Sequence, residues 1–212
     1  MTSRFRFYPG IYLAALAVAL AAPAVAATPT PAPPPSPSAK ATAPASAAPK
    51  DDGQWPMAAK NYAATRFSSL DEINGQTVKN LHADFTFSLG TKAGVEDAPV
   101  VVNNTMYIVT PYPNYVYALD LTKPGAPLKW EFLPKPAPAS QGVACCDVVN
   151  RGVVYWQGKI IFNTLDDQTM AVDANTGKLL WRTKDGDIST GESLTMAPIV
   201  VKGKVLIGNA GG

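Results

Sequence analysis

The sequence predicts an all-β chain of repeated four-stranded units, set behind an export signal and a proline-rich tether. Three observations lead there: an apolar leader with a small-residue cleavage site, a stretch from Ala27 to Lys50 built mainly of Ala, Pro, Thr and Ser, and strand pairs that recur about every 50 residues.

Met1 to Ala26 has a basic start at Arg4 and Arg6, an apolar run from Ile11 to Ala22, and Ala24-Val25-Ala26 at the cleavage position. The run is shorter than the roughly 20 residues of a membrane-spanning helix, and no later segment approaches that length. A periplasmic or extracellular protein that begins near Ala27, with no membrane span, is the expectation, in a compartment where disulfides persist. Without Arg4 and Arg6 the chain carries sixteen basic and sixteen acidic side chains. That balance argues against nucleic acid or an anionic membrane as partner, since both select basic clusters. Residues 27–50 cannot bury apolar surface and are predicted to be a disordered linker, leaving 51–212 as the folded part.

Between Asp51 and Leu81, Ile73, Val78 and Leu81 recur at helical spacing, which predicts a loop and one short helix packing its apolar side on the main body. His82 is the only histidine, so zinc chemistry and histidine-dependent triads have little to stand on.

Strand pairs follow. Ala98-Pro99-Val100-Val101-Val102 and Thr105-Met106-Tyr107-Ile108-Val109 flank Asn103-Asn104. Gly152–Trp156 and Lys159–Phe162 flank Gln157-Gly158, and Ala197–Val201 and Lys204–Ile207 flank Lys202-Gly203. Between them, Tyr117–Leu121 leads to Leu128-Lys129-Trp130, and Met170 to Lys178 leads to Leu179-Leu180-Trp181. The tryptophans are 51 positions apart and the Ala-Pro hairpins 99 apart. Four short strands per repeat of this length is the pattern of a β-propeller blade, with each tryptophan filling the space between neighbours. The chain holds about two blades and the start of a third. A propeller must close to hide its edges, so the sequence reads as the N-terminal part of a longer protein; self-association is the alternative cover for the open edge.

The only two cysteines are adjacent, in Gly142-Val143-Ala144-Cys145-Cys146-Asp147-Val148-Val149-Asn150-Arg151-Gly152. Oxidised to each other they would close an eight-membered ring that stiffens a site; reduced, they would be two small buried hydrophobes.

Cys145-Cys146-Asp147-x-Val149-Asn150-Arg151-Gly152, with Asn61-Tyr62, Ile73-Asn74, Glu96, Gly191-Glu192 before Thr195, and the final Gly-Asn-Ala-Gly-Gly, resembles the pyrroloquinoline-quinone (PQQ)-dependent alcohol dehydrogenases of the methanol and ethanol type. The resemblance implies an eight-bladed propeller with the quinone in a central funnel. It implies a Cys145–Cys146 disulfide resting on the cofactor face, and Arg151 contacting an oxygen at the quinone end. Glu96 and Thr195 would hydrogen-bond the cofactor, while Ala210, Gly211 and Gly212 would offer close main-chain approach to its carboxylates. The first metal-ligand glutamate would follow Gly212, with the remaining ligands and the catalytic aspartate further on. This stretch is therefore expected to supply one wall of the pocket, with neither metal ligand nor base, and not to turn over substrate alone.

For the whole protein the resemblance implies oxidation of a small primary alcohol with PQQ and calcium or a lanthanide, electrons leaving to a cytochrome c. The competing readings are a non-catalytic propeller scaffold and an inactive truncated product. Scaffolds with similar repeats generally carry a lipid-bearing cysteine at the mature start and have no use for a CysCysAsp motif.

Overall fold

Two-residue hairpins that follow the right-handed twist of their strands require positive φ at both central positions. All three predicted hairpins meet this: φ is 50° and 56° at Asn103 and Asn104, 47° and 75° at Gln157 and Gly158, and 50° and 75° at Lys202 and Gly203. The computed structural model describes residues 51–144 and 147–211. The expectations for the leader, the tether, Cys145, Cys146 and Gly212 thus fall outside the described residues.

Strands β1 (Val100–Val102), β2 (Thr105–Val109), β3 (Val116–Asp120) and β4 (Leu128–Phe132) form one antiparallel sheet in chain order. A second sheet repeats the plan with β5 (Val154–Trp156), β6 (Lys159–Thr164), β7 (Gln168–Asp173) and β8 (Leu179–Lys184). A third hairpin, β9 (Ile199–Val201) with β10 (Lys204–Leu206), follows. These are two blades and the opening hairpin of another, as the repeat predicts.

The period of two along β6 sorts its side chains between two cores. Ile160 and Phe162 point into a cluster shared with Val100, Val102, Tyr107, Val109, Val116, Ala118 and Trp130 of the first blade. Ile161 points the other way, into a cluster with Met57, Val154, Ala171 and Val200, against which Trp156, Trp181 and Val205 pack. The second sheet is therefore covered on both faces, and β6 and β7 read as nearly continuous buried runs. β8, at the outer edge, is exposed along most of its length.

The tryptophans act between repeats. Trp130 Nε1 donates to the Ala174 carbonyl across the blade boundary at 3.0 Å, and Tyr107 Oη donates to the same oxygen at 3.1 Å. A Cβ on Gly177 would lie 2.7 Å from Trp130 Cε3, so the indole rests directly on the Asp173–Gly177 turn. That turn is closed by Asp173 Oδ1, which accepts from the Thr176 hydroxyl and from the amides of Thr176 and Asn175, and these bonds, the hydroxyl's first, hold the Asp173 carboxyl below its ordinary range.

The segment before the blades crosses both innermost strands. Trp55 pairs with Val101 through N–H···O bonds of 2.7 and 3.0 Å, and the Tyr155 amide donates to the Pro56 carbonyl at 2.8 Å. The helix predicted over this region is corrected: only Val78–Asn80 forms a turn of 3-10 helix, and Leu70, Ile73, Val78 and Leu81 are exposed rather than packed on the blades. Asn74 takes the amides of Gln76 and Thr77 on its side chain, while Thr77 Oγ1 donates to the Glu72 carbonyl, so local side-chain bonds compete with a helix too short to form unaided. His82 is exposed. Among the described residues no helix is long and apolar enough to cross a membrane.

Gly177 has φ +70° as well as no room for a Cβ. Gly177→Ala is expected to destabilise the protein by roughly 2–5 kcal/mol, combining left-handed strain with overpacking on the indole. Denaturant unfolding should show a lower midpoint with an unchanged m-value.

Candidate functional site

Asn150 organises the loop that enters the second blade. Fully buried, it donates from Nδ2 to the Asn163 carbonyl at 2.9 Å and accepts the Gly152 amide on Oδ1 at 3.1 Å. Asn163 in turn donates to the Met196 carbonyl at 3.0 Å and accepts from Thr169 Oγ1 at 2.9 Å. This buried network ties the loop to β6, β7 and the segment before β9. Asn150 was visible in the sequence only as part of the cysteine motif; its clamping role depends on a partner 13 residues away, the Asn163 carbonyl.

The residue between the clamp's two ends is Arg151. Its amide donates to the Thr195 carbonyl at 3.0 Å, and its Nη1 donates to Thr195 Oγ1 at 2.8 Å. Its Nη2 lies 3.0 Å from Glu96 Oε2. Three predicted site residues from three separate stretches thus meet. The Arg151 and Glu96 side chains are 47% and 49% exposed, so their attraction is screened and contributes at most about 1 kcal/mol to stability. What the pair offers is a guanidinium aimed in a defined direction. With Arg66, Ala58, Ala98 and Ala197, Arg151 and Glu96 line a cavity of ≈ 280 Å³.

The last predicted stretch joins the same network. Ala210 and Ser193 exchange N–H···O bonds of 2.8 and 3.0 Å, placing Ala210 two residues from Thr195 along the paired segment. The Ala210 amide donates to the Ser193 carbonyl. Gly211 has φ +88°, and a Cβ there would sit 1.9 Å from the Gly191 oxygen, so the close approach that requires glycine is to the chain itself. Asp147, directly after the two cysteines, has φ +87°, and a Cβ built on Gly94 would lie 3.6 Å from its Oδ2. The loop that carries Glu96 therefore passes beside Asp147. Among the described residues no three His, Cys, Asp or Glu side chains converge to hold a metal ion.

Asp97, next to Glu96, was not singled out by sequence. Its Oδ2 accepts the Val109 amide at 3.3 Å, while its buried Oδ1 has no hydrogen-bond partner among the described residues. Burial pushes its carboxyl up to about 7 against that amide's downward pull. A Cβ on Gly152, at φ +136°, would meet this Oδ1 at 3.4 Å. A second buried carboxyl, Asp167, is pushed up to about 6 by burial and by neighbouring Glu192 and Asp166.

Residues 55–211 match the family model described as "Glucose/ethanol/alcohol dehydrogenase, beta-propeller domain", the PQQ family. The chain belongs to this family. It is 52% identical over 163 residues to the lanthanide-dependent methanol dehydrogenase of Methylacidiphilum fumariolicum (strain SolV), covering 77% of this chain and 27% of that protein. It is 45% identical over 168 residues to methanol dehydrogenase [cytochrome c] subunit 1 of Methylobacterium organophilum, covering 76% of this chain and 27% of that one. A solved europium-containing methanol dehydrogenase superposes with a TM-score of 0.73 at 51% identity, covering 74% of this chain and 27% of that one. The chain thus spans about a quarter of the length of these relatives.

A carboxyl raised on folding favours the native state when protonated, so its stability contribution is complete below the ordinary value of 3.8 and is lost as pH rises to about 7 for Asp97. Asp97→Asn is expected to flatten much of the decline in stability between roughly pH 4 and 7. Urea midpoints across that range check it; an Asp97→Asn profile parallel to the parent's would show that Asp97 does not titrate there.

Proposed function

We propose that the chain is the N-terminal part of an exported PQQ- and metal-dependent dehydrogenase that oxidises small primary alcohols to aldehydes in the periplasm and passes electrons to a cytochrome c. Family membership and the names of the relatives support the reaction class. The leader Met1–Ala26 supports export, and the segment boundaries proposed are signal to Ala26, tether to Lys50 and propeller from Asp51. One observation carries the site: the Arg151 guanidinium, held between Glu96 and Thr195 on the wall of a cavity.

The donor set suits a planar, anionic, oxygen-rimmed group. Arg151 presents several N–H donors in one plane. Thr195 Oγ1 accepts from Arg151 and retains its own hydrogen to give to a carboxylate. Glu96 anchors Arg151 through Oε2, leaving Oε1 to accept a hydrogen bond from the ligand. The small side chains Ala58, Ala98 and Ala197 leave room for a flat body against the wall. When bound, the quinone supplies a two-electron acceptor and the metal, calcium or a lanthanide, a Lewis acid. In this arrangement Arg151 stabilises negative charge that grows on an oxygen of its ligand, an interaction that strengthens toward the transition state. A Cys145–Cys146 disulfide would add a rigid surface without side-chain freedom to lose, and the periplasm permits its formation. Metal ligands and the general base come from outside this chain.

The exported full-length protein, loaded with PQQ and either calcium or a lanthanide, is expected to oxidise methanol or ethanol with a cytochrome c as acceptor. Arg151→Ala should lower kcat by about 10²–10³, the usual loss for one preorganised donor to a developing oxyanion. A parent protein that retains quinone with neither metal and oxidises neither alcohol would overturn the proposal.

A further inference from the structure

The cavity beside Arg151 is lined by two guanidiniums and one carboxylate. Glu96 is matched to Arg151 at 3.0 Å, which leaves Arg66 as the unbalanced charge of the wall. Among the described residues the Arg66 side chain makes no ion pair and no hydrogen bond with protein, although arginine at a protein wall has five N–H donors to satisfy.

Its position is built, not incidental. The loop from Lys60 to Arg66 holds three non-glycine residues at positive φ, with Lys60 at 70°, Ala64 at 52° and Arg66 at 48°. Both ends are tied down: Lys60 Nζ bonds both Asp51 carboxylate oxygens at 2.8 and 2.9 Å, and the Arg66 amide returns to the Ala59 carbonyl at 3.3 Å. Inside the loop, Asn61 Nδ2 donates to Thr65 Oγ1 at 2.8 Å and its Oδ1 accepts the Thr65 amide at 3.3 Å. Left-handed backbone at bulky residues persists only where the surroundings enforce it, and here it turns Arg66 onto the same cavity as Arg151.

We infer that Arg66 is a further ligand-binding residue of this site, its guanidinium taking a carboxylate of the bound quinone from the cavity lining it shares with Arg151. The inference rests on the quinone reading proposed above and extends it to a residue that neither the cysteine motif nor the Glu96–Arg151–Thr195 triad includes. A net positive wall selects a polycarboxylate over a neutral planar molecule of the same size, because only the former gains a charge-assisted hydrogen bond from the guanidinium.

The test is equilibrium binding of PQQ to the full-length protein stripped of cofactor, followed by quenching of tryptophan fluorescence, in the parent, Arg66→Gln and Arg66→Lys. Arg66→Gln is expected to weaken binding about ten- to a hundredfold and to reduce the dependence of Kd on salt, with its thermal melt unchanged. Arg66→Lys, which keeps the charge but not the planar fork, should recover part of the loss. If the parent binds and Arg66→Gln binds within a factor of two of it, this inference fails while the functional proposal stands. If the parent itself takes up no quinone, both fail.

Discussion

The contact on which the rest depends is the seating of Trp130 on the Asp173–Gly177 turn. A four-stranded sheet of this size buries one face at most by itself and cannot hold its strands together in water without a neighbour. The indole supplies that neighbour's grip. It fills the gap between sheets, bonds the Ala174 carbonyl, and requires glycine where its ring meets the turn. The same register brings Phe132 against Phe162, with ring centroids 5.9 Å apart, and closes the shared core between the first and second blades.

Once the sheets are stacked, the loops at one end of them converge. Arg151 precedes β5, Thr195 precedes β9 and Glu96 precedes β1, so each stands at the equivalent entry to successive inner strands. The repeat thereby turns three residues spread over a hundred positions into neighbours joined by bonds of 2.8 and 3.0 Å. Asn150 keeps the arrangement rigid from beneath, because a buried amide with both ends bonded cannot move without leaving polar groups unpaired. Asp97, buried with one oxygen unbonded among the described residues, adds a carboxyl that burial pushes up to about 7.

Much of this was legible in the sequence because it rests on local rules. The hairpins could be read from Asn103-Asn104, Gln157-Gly158 and Lys202-Gly203, since positive φ at a two-residue turn restricts the residues that fit. The blade repeat could be read from the spacing of Trp130 and Trp181. The site residues Glu96, Arg151 and Thr195 came from a motif resemblance, and the structure brings those three together. The helix expected before His82 did not form: Ile73, Val78 and Leu81 have helical spacing, but among the described residues no surface covers them, and periodicity without a packing partner does not stabilise so short a helix.

By itself, then, the sequence determined the all-β class, the period of the blades and the turn positions, because turn chemistry and alternation act over a few residues, while the Glu96, Arg151 and Thr195 set followed from the motif resemblance. Only the tertiary structure decided that the Ala210 amide is spent on Ser193, that Asn150 clamps the arginine loop, and that Arg66 shares a cavity with Arg151. Each of these depends on which distant backbone atoms arrive beside a given group. That is settled by how one sheet stacks on the next, which no short stretch of sequence encodes.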